Sequence, residues 1–147
     1  MKALTLTQPW ATLIAIGAKR IETRSWRTPY RGPLAIHAAK GYPQWAKDLC
    51  YEEPFKTALR AYPGPPLPIG RILATCQLIS CVPTDAVFIS DFGQFIEGPD
   101  GRVAISEQEH CFGDYSPLRW AWLLDDVKPL PAPIPARGAL SLWEWNQ

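Results

Sequence analysis

The chain has 147 residues, of which 47% are hydrophobic, so it can bury a core and is not an intrinsically disordered protein. This length suits a single domain that covers residues 1–147. The 16 prolines and 10 glycines favour many turns and exclude an architecture of long helices.

The net charge of +1 at pH 7 conceals an uneven distribution of charge along the chain. Residues 1–40 carry seven Lys or Arg and one acid, Glu22, which gives a net charge of +6. The remaining residues carry eight bases and thirteen acids, a net charge of −5. This asymmetry indicates one positive face that meets an anionic partner, unless folding brings the two halves together and evens the charges out.

The cysteines, Cys50, Cys76, Cys81 and Cys111, have no CxxC spacing, which disfavours a zinc site and predicts free thiols in a reducing cytoplasm. The first residues, MKALTLTQPW, are too short and too polar for a signal peptide, and no apolar run approaches the ~18 residues of a membrane span. We therefore expect a cytoplasmic protein with no metal, no cofactor and no membrane partner. The oligomeric state does not follow from the sequence.

The first third of the chain predicts alternating strands with one helix. Residues 3–7 alternate apolar and polar side chains, as a strand does. A helix of about three turns opens at Gln8-Pro9-Trp10 with Thr7 as its cap, and Gly17 ends it. Two more strands follow at residues 20–26 and 33–38, separated by a turn at residues 28–32.

The rest of the chain predicts a mixed but mainly β pattern. The expected elements are a helix from Pro43 to about Ala61 that breaks near Pro54, a loop at 62–68, a strand at 70–82, a loop with short strand pieces at 85–103, a helical turn at 106–111, a strand at 118–127, a proline-rich connection, and a strand at 140–145. About six strands with a few helices and no repeated strand–helix–strand order give an α+β fold, mainly β, for which a small barrel is a suitable architecture.

The segment GAKRIETRSWRTPYRG, residues 17–32, concentrates cations and aromatic rings. In a strand, Arg20, Glu22, Arg24 and Trp26 point to one side, and unpaired cations there must meet water, acids or a ligand. One interpretation is a solvated strand face with ion pairs between its own residues. The other is a groove for single-stranded nucleic acid, in which arginines hold phosphate and aromatic rings stack bases.

The N-terminal block of the chain combines a strand, QPWA at a helix start and the pattern G-x-K-R-x-E-x-R-S-W-x-T-x-x-R-G. This block resembles the activating signal cointegrator homology (ASCH) domain family. The stretches LPIGRILATCQLISCV, SPLRWAWLLDDV and RGALSLWEW resemble the family's central and closing strands. The similarity covers most of the chain, and only residues 85–105 lack a counterpart and an expected role.

The resemblance implies a PUA-like fold, a small β-barrel with flanking helices and a cleft beside the first helix. It implies a partner that is RNA, another single-stranded nucleic acid or a modified nucleoside. By this likeness the cleft is lined by Gln8, Trp10, Lys19, Glu22, Arg24, Ser116 and Arg119, with Trp26, Tyr30 and Arg31 at its rim. Within it we expect Arg24, Arg27 and Arg31 to hold phosphate, and Trp10, Trp26 or Tyr30 to stack a base.

An enzymatic alternative also follows from the resemblance. Small bacterial relatives deacylate N4-acetylcytidine with a Lys, a Thr three residues later and a distant Glu, and other relatives cleave RNA. Lys19 matches that Lys, Glu22 stands in place of the Thr, and Glu107 or Glu109 could supply the distant Glu. Lys19 and Glu22 would then activate a water in a nucleoside amidohydrolase or a ribonuclease, or they would form an ion pair that only orders the pocket.

Other residue types point more weakly to function. His37 lies in an apolar strand and is expected to be a core or edge histidine rather than a base. His110 next to Cys111 offers a cysteine–histidine arrangement, but no third group orients it. Asp125-Asp126 is expected to be solvated, and Trp120, Trp122, Trp143 and Trp145 are expected to fill or cover the barrel. A basic face that docks an acidic protein is a third functional alternative.

Overall fold

The apolar strands assemble into two β-sheets in the structure, a computed structural model that describes residues 1–62, 64 and 66–146. Over these residues the chain has nine strands and four short α-helices, which confirms the predicted α+β, mainly β fold. In chain order the elements are β1 (Lys2–Leu6), α1 (Trp10–Ala15), β2 (Ile21–Arg24), β3 (Gly32–Ala38), α2 (Gln44–Leu49), α3 (Phe55–Leu59), β4 (Arg71–Pro83), β5 (Phe88–Ser90), β6 (Gly93–Gly98), β7 (Gly101–Ile105), α4 (Glu107–Phe112), β8 (Trp120–Pro135) and β9 (Leu142–Glu144). A 3₁₀ turn at Thr84–Ala86 precedes β5.

The larger sheet has six strands in the order β2-β8-β4-β3-β1-β9. The described residues hold nine strands in all rather than the predicted six or so, because residues 88–105 add three short ones. Strand β1 runs parallel to β3 and antiparallel to β9, so the first and last strands are neighbours. The smaller sheet, β5-β6-β7, is an antiparallel meander. None of the helices in the described part of the chain is long and apolar enough to cross a membrane.

The chain forms two compact units. The first unit consists of residues 1–19, 33–76 and 126–146, and the second consists of residues 20–32 and 77–125. Strands β4 and β8 contribute residues to each unit. The assignment of residues 1–147 to one domain stays a prediction.

Helix α1 is part of the core of the first unit, because residues 11–15 are all buried. The predicted capping by Thr7 is wrong. The helix begins at Trp10, and Pro9 at the N-cap position offers no side-chain hydrogen bond. Within the first turn, the Thr12 N–H donates to Oε1 of Gln8 at 3.0 Å. The predicted end at Gly17 is confirmed: φ is 82° there, and the N–H groups of Gly17 and Ala18 return to the carbonyls of Ile14 and Leu13.

The predicted helix over residues 43–61 is confirmed in outline, since α2 and α3 flank the expected break at Pro54. The loop at 62–68 connects α3 to β4, although Pro63 and Pro65 lie outside the described residues. The helical turn at 106–111 is confirmed as α4, in which Oγ of Ser106 accepts the Glu109 N–H at 3.0 Å.

Residues 85–103 differ from the prediction, because they form a complete three-stranded sheet rather than a loop with strand pieces. Ile96 of β6 and Ile105 of β7 are buried with Ile21, Ala121 and Leu123, and they form the core of the second unit. The strands of this meander are short, and both of its faces carry apolar side chains, with Ile96 and Val103 on one face and Phe88 and Phe95 on the other. The alternation of apolar and polar residues in the sequence is therefore faint.

Strand β8 is longer than the predicted strand at 118–127 and continues through the proline-rich stretch to Pro135. Prolines stand at every second position from Pro129 to Pro135. Alternate N–H groups of a strand face the same edge, so these prolines remove donors from one edge only. The pairing of β2 with β8 reaches only Leu123, and the prolines therefore occupy an edge that needs no donors.

His37 is a buried residue of β3, as expected. Its Nε2 lies 2.8 Å from the carbonyl oxygen of Ala136, which can only accept, so Nε2 carries the proton. Nδ1 then accepts from the Thr5 hydroxyl at 3.1 Å, and that hydroxyl accepts from Nε1 of Trp143 at 3.0 Å. Burial lowers the pKa of His37 below its usual 6.5, while the Ala136 hydrogen bond opposes this shift.

The lowered pKa of His37 predicts a stability that falls with acidification. Below about pH 6.5 the unfolded chain binds a proton at His37 before the folded chain does, so the free energy of unfolding decreases as pH falls from about 7.5 to 5.5. Urea unfolding midpoints across this range measure the effect. The variant His37→Gln should show a flatter pH dependence, and an equally steep loss in that variant would contradict the assignment.

Candidate nucleic-acid interface

Strand β2 holds the first cation of the predicted site against β8. Arg24 is the register partner of Trp120, and Glu22 is the register partner of Trp122. Register partners in a sheet project to the same face, so these four side chains share one face of the strand pair. Glu22 and Ile21 are both buried, which means that β2 is covered on both sides rather than having an open basic face.

The base of this face is the ring of Trp122, which is fully buried. Trp26 packs its ring edge-on against Trp122 with a centroid separation of 4.7 Å. The indole Nε1 of Trp122 also donates to the carbonyl oxygen of Trp26 at 3.3 Å. The two tryptophans therefore fix the chain just after β2, and the Trp26 ring remains half-buried.

Two arginines lie over tryptophan rings at this position. The Arg24 guanidinium carbon is 5.8 Å from the Trp26 ring centroid, and NH1 of Arg24 is 3.5 Å from Oε2 of Glu22. The exposed Arg27 lies over Trp120 at 5.7 Å. Arg27 makes no ion pair with any carboxylate in the described part of the chain, so its charge is available to an anion.

Arg119 and Ser116 are held by Asp114. Nε of Arg119 is 3.4 Å from Oδ2 of Asp114, and NH2 of Arg119 donates to the carbonyl oxygen of Thr23 at 3.3 Å. Oδ1 of Asp114 accepts from the N–H and the hydroxyl of Ser116 at 3.1 and 2.6 Å. These hydrogen bonds from Ser116, together with the Arg119 charge, lower the pKa of Asp114.

Tyr30 and Arg31 belong to a tight turn after Trp26. The Tyr30 N–H donates to Oγ1 of the buried Thr28, and NH1 of Arg31 donates to the carbonyls of Thr28 and Tyr30. Arg31 is exposed and makes no ion pair with a described carboxylate. The guanidinium thus folds back on its own turn and keeps its net charge.

We call five residues of the second unit, of which Arg27 is exposed and the others are half-buried, the arginine patch: Arg24, Trp26, Arg27, Arg119 and Trp120. The structure brings these residues together through the β2–β8 pairing, which places Trp120 opposite Arg24 and Arg119 beside Thr23. The sequence predicts that Trp120 fills or covers the barrel, whereas the structure places it half-buried in the patch with Arg27 over its ring. Its position directly after Arg119 was the one available indication.

The predicted site residues of the first unit are mostly interior. Gln8 and Lys19 are fully buried, and Nε2 of Gln8 donates to the carbonyl oxygen of Pro68 at 2.7 Å. The ring of Trp10 is half-buried, with Trp45 at 5.9 Å and Phe55 at 6.0 Å between centroids. The exposed Trp45 is the outermost member of this aromatic cluster.

Two buried carboxylates approach a phenol inside the second unit. Glu109 accepts the Arg20 N–H at 2.7 Å, and Glu22 accepts the Thr23 N–H at 2.9 Å. Burial, and then the charges of Glu109 and Glu22, raise the pKa of Tyr115 well above its usual value. The hydroxyl of Tyr115 is buried and has no hydrogen-bond partner within the described residues.

The weaker candidates of the sequence have local roles. His110 stacks on Tyr115 with a centroid separation of 4.9 Å, and its neighbour Cys111 is exposed. Asp125 pairs with Arg20 at 3.6 Å, and Asp126 pairs with Lys128 at 3.3 Å. Among the described residues no group of three His, Cys, Asp or Glu side chains is arranged to hold a metal ion.

Comparison with known proteins gives a consistent result. The family model of the ASCH domain matches residues 4–122. Activating signal cointegrator 1 of Homo sapiens is 37% identical over 87 residues, which cover 54% of this chain and 14% of that protein. The protein of the same name from Mus musculus is 37% identical over 83 residues, with the same two shares. The match thus spans only 14% of the length of these relatives.

The packing of Trp26 on Trp122 predicts a large loss of stability when the buried ring is removed. Trp122→Ala should lower the free energy of unfolding by about 3–5 kcal/mol, because it leaves a cavity beneath Trp26. Urea unfolding measures this value. Trp45→Ala, at a side chain that is 61% exposed, is the control and should cost about 1 kcal/mol or less; equal losses would contradict the packing argument.

Proposed function

Because the chain belongs to the ASCH domain family, we propose that it binds single-stranded RNA through the arginine patch. The observation that carries this proposal is Arg27, an exposed cation that lies 5.7 Å over Trp120 and has no ion-pair partner among the described carboxylates. A guanidinium held against a ring has less freedom to lose when it binds a phosphate.

Charge supports a phosphate ligand for the patch. It holds three arginines, and two carboxylates, Glu22 and Asp114, contact two of them. Glu22 is buried, so its charge opposes an incoming anion from inside the protein, whereas Arg27 faces solvent. An excess of positive charge therefore remains at the surface where a phosphate would arrive.

The aromatic rings favour a single strand over a duplex. Trp26 and Trp120 are both half-buried, so each keeps part of a ring surface open. Unpaired bases stack on such surfaces with about 1–3 kcal/mol per base, and the bases of a duplex are not accessible for this contact. Tyr30 and Arg31 extend the same combination of ring and cation along the turn.

The remaining predicted site residues take supporting roles in this proposal. Gln8 and Lys19 are fully buried and do not reach the surface where RNA would lie. Gln8 accepts the Thr12 N–H at the start of α1, and the backbone N–H of Lys19 donates to the carbonyl oxygen of Leu13 near its end. Ser116 orders Asp114, and Asp114 orders Arg119. Trp10 remains a stacking candidate within its cluster in the first unit.

RNA binding should depend on Arg27. Arg27→Gln should weaken binding of a short single-stranded RNA about five-fold, which corresponds to about 1 kcal/mol. It should also reduce the slope of log affinity against log salt by about 0.7, the value for one phosphate contact on a single strand. Fluorescence anisotropy of labelled RNA across a salt series measures both quantities.

A matched control is available in the same unit. Arg102 also lies over a ring, that of Phe88 at 4.8 Å, but it is paired with Glu97 and lies in the β5–β7 sheet. Arg102→Gln removes the same charge and should leave affinity and slope unchanged. Equal effects of the two substitutions, or no RNA binding by the unmodified protein at low salt, would refute the proposal.

A second candidate function, hydrolysis of a modified nucleoside or of RNA, is favoured by the buried group Glu22, Glu109 and Tyr115. Of the two glutamates considered from the sequence, Glu109 is buried and its charge acts on Tyr115, as that of Glu22 does, whereas Glu107 is exposed. Paired carboxylates in a buried setting can divide the roles of acid and base between them.

Product analysis separates this candidate from simple binding. The protein is incubated with N4-acetylcytidine and with single-stranded RNA, and products are separated by chromatography. Turnover that is lost in Glu109→Gln and in Lys19→Met but retained in Glu107→Gln would support the enzyme. RNA binding without product from either substrate would leave binding as the function.

A further inference from the structure

The first unit has an open groove of about 1170 Å³ that the arginine patch does not include. Thr5 of β1 and His37 of β3 form its floor, and Lys40, Ile69, Arg137 and Leu140 are among its walls. The groove is large enough to bury a ligand the size of a nucleotide.

Hydrogen bonds fix the floor and one wall of this groove. The chain of bonds from Trp143 through Thr5 and His37 ends at the carbonyl oxygen of Ala136. The Ala136 N–H in turn donates to the carbonyl oxygen of Gly70 at 3.1 Å. Arg137 therefore projects from a backbone that is anchored at the residue before it.

Gly138 anchors the same wall on the other side of Arg137. A Cβ atom placed on Gly138 would lie 2.7 Å from Cε1 of His37 and 2.7 Å from Oγ1 of Thr5. The wall therefore packs directly on the floor without an intervening side chain. The position of the Arg137 backbone is thus set before any ligand arrives, so less conformational entropy is lost when a ligand binds.

The charge of the groove is positive. Lys40 and Arg137 are both exposed, and neither forms an ion pair with a carboxylate in the described ranges. The described lining contains no Asp or Glu. His37 is neutral at physiological pH because burial lowers its pKa. Two uncompensated cations at one groove favour an anion such as a phosphate.

The walls also carry apolar surface that solvent reaches. Leu140 is 93% exposed and Ile69 is 41% exposed, and both line the groove. A purely inorganic anion would leave these side chains in water, whereas a ligand with a flat ring would cover them. The combination fits a molecule that joins a phosphate to a heterocycle.

We propose that this groove binds a nucleotide, with its phosphate on Lys40 and Arg137 and its base against Ile69 and Leu140. The nucleotide is either a free nucleoside monophosphate or one unit of an RNA strand. The site uses different residues from the arginine patch and does not depend on RNA binding there.

The test is a titration of the isotope-labelled full chain followed by NMR. The probes are adenosine monophosphate, adenosine, inorganic phosphate and a short single-stranded RNA. We expect adenosine monophosphate to shift the amide signals of Thr5, Lys40 and Gly138, and to bind at least ten-fold more tightly than adenosine or phosphate. Both cations should be required, so the double variant Lys40→Gln/Arg137→Gln should bind adenosine monophosphate at least ten-fold more weakly.

Arg60→Gln is the control, because Arg60 is an exposed cation of the same unit that does not line the groove. It should leave the titration unchanged. If the RNA shifts these amides and the monophosphate does not, the ligand of the groove is a unit of an RNA strand. If only the monophosphate shifts them, the ligand is a free nucleotide. The proposal is overturned if neither probe shifts them, if phosphate alone binds as tightly, or if Arg60→Gln weakens binding as much as the double variant.

The same titration distinguishes this proposal from the one for the arginine patch. Arg27→Gln should weaken RNA binding and leave the shifts caused by adenosine monophosphate in the groove intact. If the unmodified protein does not bind RNA but adenosine monophosphate still shifts the amides of the groove, the proposal for the arginine patch is refuted and the proposal for the groove stands.

Discussion

The arginine patch depends on one contact, the packing of Trp26 on the buried ring of Trp122. A tryptophan ring can be buried at a gain in free energy, whereas an unpaired guanidinium cannot. Strand β2 follows this constraint: Ile21 and Glu22 turn inward, and the arginines emerge where the strand ends. The hydrogen bond from Trp122 to the Trp26 carbonyl fixes the point at which the backbone leaves the sheet.

The uneven charge of the sequence is partly compensated in the fold. Arg20 pairs with Asp125, and Arg119 pairs with Asp114, so acids from the later part of the chain do reach basic residues. The pairs are exposed at the surface and contribute little to stability. Arg27 and Arg31 keep their charge, as do Lys40 and Arg137 in the groove of the first unit. Both proposals rest on cations that the fold leaves without acids in the described residues.

The local sequence pattern predicts helix ends that are set by one or two residues. The end of α1 at Gly17 follows from the left-handed backbone there, and the start of α4 follows from the Ser106 cap. The ASCH pattern, which the family model then matched over residues 4–122, carried the fold class. The sequence predicts only a loop with short strand pieces where the β5–β7 sheet lies, because its strands are short and pair with each other.

The sequence does not predict which residues of the candidate site are buried. Nothing in the order of residues distinguishes Lys19, which is fully buried, from Arg27, which is exposed. For a related reason the sequence predicts a strand that ends at residue 127, whereas β8 continues through the prolines to Pro135. A proline has no backbone N–H, so prolines end a strand unless each of them faces an edge that pairs with no neighbour. Only the order of strands in the sheet shows which edge is unpaired. Trp120 became a site residue only when its pairing with Arg24 was known.

Photo-crosslinking is the most direct test that RNA lies on the rings of the arginine patch. A single-stranded RNA that carries 4-thiouridine is irradiated with the full chain, and the crosslinked peptides are identified by mass spectrometry. We expect crosslinks at the peptides that contain Trp26 or Trp120, since a stacked base lies in contact with these rings. Crosslinks confined to the β5–β7 sheet or to α4, with neither tryptophan peptide modified, would contradict the account.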